Sequence, residues 1–193
     1  PRRPPMIPAL WPPPPLTAEE PARWTTPEER AAAAAFVSER RRAEYLTWRA
    51  VVRRELGDDV GIAYDALGAP VLTNRAVHIS VAHCAGRIAV CASPERCAVD
   101  IEPQARDFSR AASRYLTPEE EALSDEALLP GIVWCAKEAL YKLAGRRELD
   151  FRRDLHIVRL DLAAGTLTGR IENGEPVRLS VSLDEGFILV YIL

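Results

Sequence analysis

The sequence predicts an α+β fold of two pseudo-symmetric halves, each with helices packed on a small antiparallel sheet. The main observation is that a helical pattern followed by short strand patterns occurs twice along the 193 residues. Hydrophobic residues make up 48% and charged residues 27% of the chain, as in folded globular proteins. We therefore divide the chain into a proline-rich arm at residues 1–24 and two halves at residues 25–103 and 104–193.

The first half is predicted to contain one long helix and then a meander of strands. Prolines occur throughout residues 1–24, so this arm cannot form a regular helix or a central strand. Thr26 begins a capping-box pattern, and we expect its helix to continue to about Leu56, where Gly57 ends it. Short β-rich runs broken by turn residues follow at positions 62–64, 77–82, 87–91 and 98–101.

The second half repeats this order of elements. A capped helix begins at Thr117, and a further helix covers about residues 132–144 before Gly145 ends it. Residues 166–172, 176–182 and 187–193 are predicted to be three antiparallel strands, with turns at residues 173–174 and 185–186.

Charge and composition exclude several classes of function. The net charge of −3 provides no overall field that would attract nucleic acid or an anionic membrane. No apolar run is long enough for a membrane helix, and no signal-peptide pattern is present. The four cysteines have no CxxC spacing, which favours reduced core thiols. We expect a cytoplasmic protein that binds neither nucleic acid nor a membrane.

Two acidic residues alternate along the strand predicted at residues 98–101. Asp100 and Glu102 should project from one face of this strand, while Val99 and Ile101 point into the core. Two adjacent carboxylates can bind a hard cation such as Mg²⁺. Charged pairs are also common at strand ends, so this pattern alone is not specific.

The helix near residue 138 carries a second polar group. Trp134, Glu138 and Lys142 should form one stripe, and the only two lysines of the chain, Lys137 and Lys142, both occur here. A third acid next to the first two would complete an oxygen site for Mg²⁺ and a pyrophosphate. The alternative is an ordinary surface ion pair between Glu138 and Lys142.

The first helix has an aromatic and cationic face. Arg41, Tyr45 and Arg49 are spaced by four residues and should share one side of the helix. Such a row could hold phosphate groups and stack an adenine ring. A solvated charged face would have the same spacing.

Four motifs in order resemble those of the 4′-phosphopantetheinyl transferases, over nearly everything after the arm. Residues 98–102 are similar to the G-[IV]-D-[IV]-E motif, and residues 134–142 to the W-x-x-K-E-A-x-x-K motif. Residues 79–84 are similar to the S-x-S-H-[ST] motif, and residues 65–70 lie where a G-K-P motif is expected. The resemblance implies the fold of that family, in its monomeric form with two halves.

The resemblance also implies a reaction and roles for individual residues. The phosphopantetheine arm of coenzyme A would pass to a serine of an acyl or peptidyl carrier protein. Asp100, Glu102 and Glu138 would bind Mg²⁺ against the pyrophosphate. Glu138 would also help to remove the serine proton, and Lys142 would balance or protonate the departing 3′,5′-ADP.

The remaining implied contacts are with the nucleotide. His83, Arg41 and Arg49 would hold the 3′-phosphate and adenosine end of coenzyme A, and Lys137 would contact phosphate. A basic patch for an acidic carrier protein is expected at arginines 146, 147, 152 and 153.

Two positions depart from the family motifs. Ala69 replaces the lysine of G-K-P, for which Arg75 or Arg42 could compensate, and Cys84 replaces the hydroxyl residue after the histidine. These changes leave open a non-catalytic coenzyme A-binding module of the same fold. An unrelated magnesium phosphohydrolase would explain the three acids but not the lysines or His83.

Overall fold

A computed structural model describes residues 9–11, 23–84 and 86–193. The helices are α1 Pro27–Ala34, α2 Glu39–Leu56, α3 Ser109–Ala112, α4 Pro118–Glu121 and α5 Leu129–Ala144. The strands are β1 Ala9–Trp11, β2 Ile62–Tyr64, β3 Pro70–Leu72, β4 His78–Cys84, β5 Arg87–Ser93, β6 Ala98–Pro103, β7 Leu155–Asp161, β8 Thr166–Ile171, β9 Val177–Asp184 and β10 Phe187–Ile192. All strand pairs are antiparallel, so the predicted α+β class is confirmed. Most of the proline-rich arm lies outside the described residues.

The prediction of one helix from Thr26 to Leu56 is wrong, because the helix is interrupted between the end of α1 and the start of α2. Thr26 caps α1 with the predicted capping box. Ser38 then starts a second helix, and its side-chain oxygen accepts a hydrogen bond from the backbone N–H of Arg41. Between the helices Val37 is almost fully exposed. A serine that satisfies a free N–H favours a new helix start even without glycine or proline.

The first half packs α2 against a small sheet in the order β1-β5-β4. Trp48 and Val52 of α2 are buried in one cluster with Ile79 of β4 and Val90 of β5. The strands β2 and β3 form a separate hairpin, and β3 lies beside β4. These contacts place both α2 and the β2–β3 hairpin next to this sheet.

The second half packs α5 against a five-stranded sheet in the order β6-β10-β9-β8-β7, so β6 belongs to this sheet although the division at residue 103 places it in the first half. The helix buries Ile132 and Leu140 against residues such as Leu179 and Ile188, all fully buried. The sequence prediction missed β7, in which a register shift between Ile157 and Arg159 interrupts the alternation. Such a bulge removes the two-residue periodicity on which strand prediction depends.

The two halves meet where β4 lies beside β6. The Ser80 hydroxyl accepts a hydrogen bond of 3.2 Å from the Val99 N–H, and small apolar side chains such as Ala82 and Ala89 pack against Ile101. Val99 and Ile101 are buried in this contact. Because side chains alternate along β6, the two acids of this strand must project to its other face, towards α5.

Candidate functional site

Asp100 is held at the junction between β6 and α5. Its side chain is buried, and Oδ1 accepts a hydrogen bond of 2.8 Å from Nζ of Lys142. Lys142 Nζ also donates to the Val99 carbonyl at 2.8 Å, which fixes the lysine against the strand. The other oxygen, Asp100 Oδ2, is buried and has no hydrogen-bond partner. An unpartnered buried carboxylate oxygen is costly unless a cation or donor meets it.

Glu102 and Glu138 lie near Asp100 and are half-buried. Burial is the main cause that raises the pKa of both carboxyl groups, and the negative charge of Asp100 raises each pKa further. Arg106 opposes the shift at Glu102, and Lys142 opposes it at Glu138. The three carboxylates therefore repel one another electrostatically in a partly desolvated site.

The residues fit a divalent cation in composition but are not gathered around one centre. Within the described ranges, no three acidic, thiol or imidazole side chains are arranged as a set of metal ligands. Instead Asp100 is paired with Lys142, and Glu102 is paired with Arg106. The free Oδ2 of Asp100 and the raised pKa of Glu138 are both features that a cation would relieve. Asp100, Glu102 and Glu138 are thus the residues that could hold Mg²⁺.

Two adjoining cavities of about 350 and 330 Å³ lie beside Lys142. Both are lined by Lys142, Ala69 and Pro70, and we refer to the two cavities together as the groove. The predicted G-K-P region therefore borders the same groove as Lys142. Tyr141 lines the second cavity and provides an aromatic side chain there. Tyr141 was not among the predicted site residues, although it lies within the motif at residues 134–142.

A larger cavity of about 670 Å³ opens beside the start of α2. It is lined by Arg41, Tyr45 and His83, and Nδ1 of His83 lies 3.4 Å from a carboxylate oxygen of Glu44. Next to His83, burial raises the pKa of Cys84 to about 12, and the charges of Glu102, Asp100 and Glu44 contribute to this shift. Cys84 therefore lies within electrostatic reach of both this cavity and the carboxylates.

Arg49 does not line this cavity, contrary to the expectation that it binds the nucleotide. Its side chain is 2% exposed, and its guanidinium carbon lies 3.4 Å from the centre of the Tyr45 ring. It donates to the Tyr45 carbonyl and to the Tyr64 hydroxyl, and Nε lies 3.5 Å from Glu29. Arg49 is kept from the cavity by these contacts with Glu29, Tyr45 and Tyr64.

Lys137 also differs from its predicted role as a phosphate ligand. It is fully buried, and Nζ donates to the carbonyls of Tyr115 and Phe151 and to the carboxylate of Glu120. These three bonds use all the donors of an ammonium group. Lys137 lies one position, about 100°, from Glu138 on the helix, so it faces the core instead of the groove.

The proposed substitutes for the missing lysine at position 69 are also engaged elsewhere. Arg75 lines the same cavity as Ala69, and it forms an ion pair with Asp59. Arg42 donates to the backbone carbonyls of Phe36 and Val37 instead. Of these two arginines, only Arg75 borders the groove.

Arg106 is a further residue of the site that was not predicted from the sequence. Its guanidinium contacts Glu102 and lies 5.3 Å from the centre of the Trp134 ring. Arg106 follows β6 in a turn, where no helical or strand periodicity predicts which way a side chain points. The spacing of four residues between Glu102 and Arg106 was the sequence signal that could have indicated this ion pair.

Comparison with known proteins gives one family match, which covers β6 and nearly all of the chain after it. Residues 96–190 match the family model described as the 4′-phosphopantetheinyl transferase superfamily. This segment contains Asp100, Glu138 and Lys142, whereas His83 and Arg41 precede it. No curated protein matches the chain. None of the described helices is long and apolar enough to cross a bilayer.

Proposed function

We propose that the chain moves the phosphopantetheine arm of coenzyme A to a serine of an acyl or peptidyl carrier protein, with Mg²⁺. The proposal is supported by the match of residues 96–190 to the family model of the 4′-phosphopantetheinyl transferase superfamily. The observation that carries this proposal is the buried, unpartnered Oδ2 of Asp100, which lies within a group of three acids and next to Lys142. A simple surface ion pair between Glu138 and Lys142 would not require this arrangement.

The acids and Lys142 have distinct roles in the proposed reaction. Asp100, Glu102 and Glu138 would hold Mg²⁺, which supplies positive charge to the pyrophosphate of coenzyme A. Burial raises the pKa of Glu138, so this carboxylate accepts a proton more readily than an exposed one. We assign to it removal of the serine proton. Lys142, which lines the groove, would balance or protonate the departing 3′,5′-ADP.

We assign the nucleotide end of coenzyme A to the cavity beside α2. Arg41 and His83 border the cavity beside α2, where an exposed guanidinium and an imidazole can bind a phosphate group. We assign Arg49 to the support of Tyr45, because it is buried against that ring. We further propose that the protein acts as a monomer in the cytoplasm and that Arg147, on the groove rim, meets the acidic carrier protein.

The test is mass spectrometry of an intact apo carrier protein incubated with the chain, coenzyme A and Mg²⁺. We expect a mass gain of one phosphopantetheine, abolished by a chelator and by Glu138→Ala. Because Glu138 is only half-buried, this variant should fold, and its circular dichroism should match that of the unmodified protein.

Two other outcomes identify the alternatives. The change at Ala69 favours a non-catalytic module, which would bind coenzyme A but modify no acyl or peptidyl carrier protein. A phosphohydrolase would release inorganic phosphate from simple esters and leave the carrier protein unmodified.

A further inference from the structure

Arg106 occupies a defined position at the edge of the carboxylate site. Its backbone N–H donates to the Pro103 carbonyl at 3.1 Å, in the turn that follows β6. The guanidinium forms an ion pair with Glu102 and lies 5.0 Å from the ring centre of Phe108 and 5.3 Å from that of Trp134. The side chain is 39% exposed, whereas that of Glu102 is 16% exposed.

This position brings the positive charge of Arg106 to a carboxylate, that of Glu102, which a metal ion at the site would also contact. A guanidinium stays charged at every pH at which a protein is folded, so it cannot release Glu102 by losing a proton. Its positive charge also acts on Glu138, although no direct contact joins the two side chains. Arg106 therefore neutralises the same carboxylates that a divalent cation would need.

We propose that Arg106 is a tethered cation that competes with the divalent metal for Glu102 and so sets the metal affinity of the carboxylate site. This inference rests on the proposed function, in which Asp100, Glu102 and Glu138 hold Mg²⁺. To admit the metal, the guanidinium leaves Glu102. It can keep its contacts with Phe108 and Trp134, because an arginine over an aromatic face retains that attraction without the carboxylate.

The sign of the effect distinguishes competition from a structural role. If Arg106 only supported the fold of the loop, its removal would leave the metal affinity unchanged or reduce it. If Arg106 competes, its removal raises the affinity. An ion pair of this partial exposure contributes modestly, so we expect a change of about threefold to fivefold in the dissociation constant.

The experiment is titration of the full chain with Mn²⁺ and with Mg²⁺, in the absence of coenzyme A, by calorimetry and by the electron paramagnetic resonance of free Mn²⁺. Arg106→Gln should bind either ion about threefold to fivefold more tightly than the unmodified protein. Arg106→Lys keeps the charge but loses the planar fork and should bind with an intermediate affinity. Arg153→Gln is the matched control, because Arg153 pairs with its chain neighbour Asp154 and should leave metal binding unchanged.

Each result has a separate meaning. Unchanged or weaker binding by Arg106→Gln, when Glu102→Gln also weakens binding, would overturn the competition and leave the proposed metal site in place. If Arg106→Gln does not fold, unchanged or weaker metal binding by Arg106→Lys leads to the same conclusion. Binding that Glu102→Gln does not alter in any background would instead contradict the metal site, and with it the proposed function.

Discussion

Replacement of Lys137 by methionine should destabilise the protein strongly without a direct effect on coenzyme binding. Lys137 and Glu120 are 0% and 3% exposed, and Nζ lies 2.8 Å from the carboxylate. Loss of one partner of a buried ion pair costs about 3 to 5 kcal/mol, because the other charge is left without compensation. The carbonyls of Tyr115 and Phe151 lose a donor as well, so we expect a value in the upper part of this range.

The assay is urea unfolding of Lys137→Met beside the unmodified protein. Arg146→Met is the control, because Arg146 also forms one ion pair, with Glu172, but both side chains are 51% exposed. The control should lower the free energy of unfolding by less than about 1 kcal/mol. Adding Glu120→Gln to Lys137→Met should cost less than the sum of the single changes, because the double variant removes both charges.

A Lys137→Met variant whose free energy of unfolding lies within about 1 kcal/mol of that of the unmodified protein would contradict a buried ion pair between Lys137 and Glu120. If such a stable variant also bound coenzyme A more weakly, the role of Lys137 as a phosphate ligand would be restored. A variant that is unstable but retains the dissociation constant for coenzyme A, measured where it is still folded, would agree with the structure.

Two further predictions concern packing and pH. Gly131→Ala should lower the free energy of unfolding, measured in urea, by about 1 to 3 kcal/mol, although alanine is the better helix former. The reason is that the alanine Cβ would lie 2.5 Å from Ile188 and 2.7 Å from Phe108. Equal stability of the two proteins would contradict this packing. Hydrogen bonds from Arg153 and from the Asp150 backbone lower the pKa of Asp154 to about 2, so this carboxylate stabilises the fold above about pH 4, and the stabilisation is lost as the pH falls towards about 2. Thermal unfolding of Asp154→Asn should therefore differ from that of the unmodified protein at pH 5 and converge with it near pH 2, and a constant difference would contradict the assignment.

Local patterns were reliable where one chemical signal decides the backbone. The capping boxes at Thr26 and Thr117 start helices as predicted, and Gly145 ends α5 in the left-handed conformation. Strand β2 has its predicted bounds, and β6 begins where it was expected. In contrast, β7 escaped prediction because its bulge interrupts the alternation on which strand prediction depends.

Side chains near the site were harder to place. Arg41 and Arg49 share one face of α2 by spacing, yet Arg41 is exposed at the cavity and Arg49 is buried. Helical periodicity gives the direction of a side chain but not which turns of the helix are covered by other elements. Similarly, Lys137 and Glu138 are neighbours in sequence, and only the packing of α5 sends the lysine to Glu120 and leaves the acid near Asp100.

The sequence by itself determined the α+β class, the capped helix starts at Thr26 and Thr117, most of the strands and the resemblance of residues 96–190 to a transferase family, because each depends on short-range patterns of capping, alternation and motif order. Only the tertiary structure decided which polar groups meet. The pairing of Lys142 with Asp100 joins residues 42 positions apart. The packing of β4, β6 and α5 decides whether each charged side chain of the site is exposed, paired or buried. The sequence does not show this, because electrostatic energies depend on distance and burial and not on position in the chain.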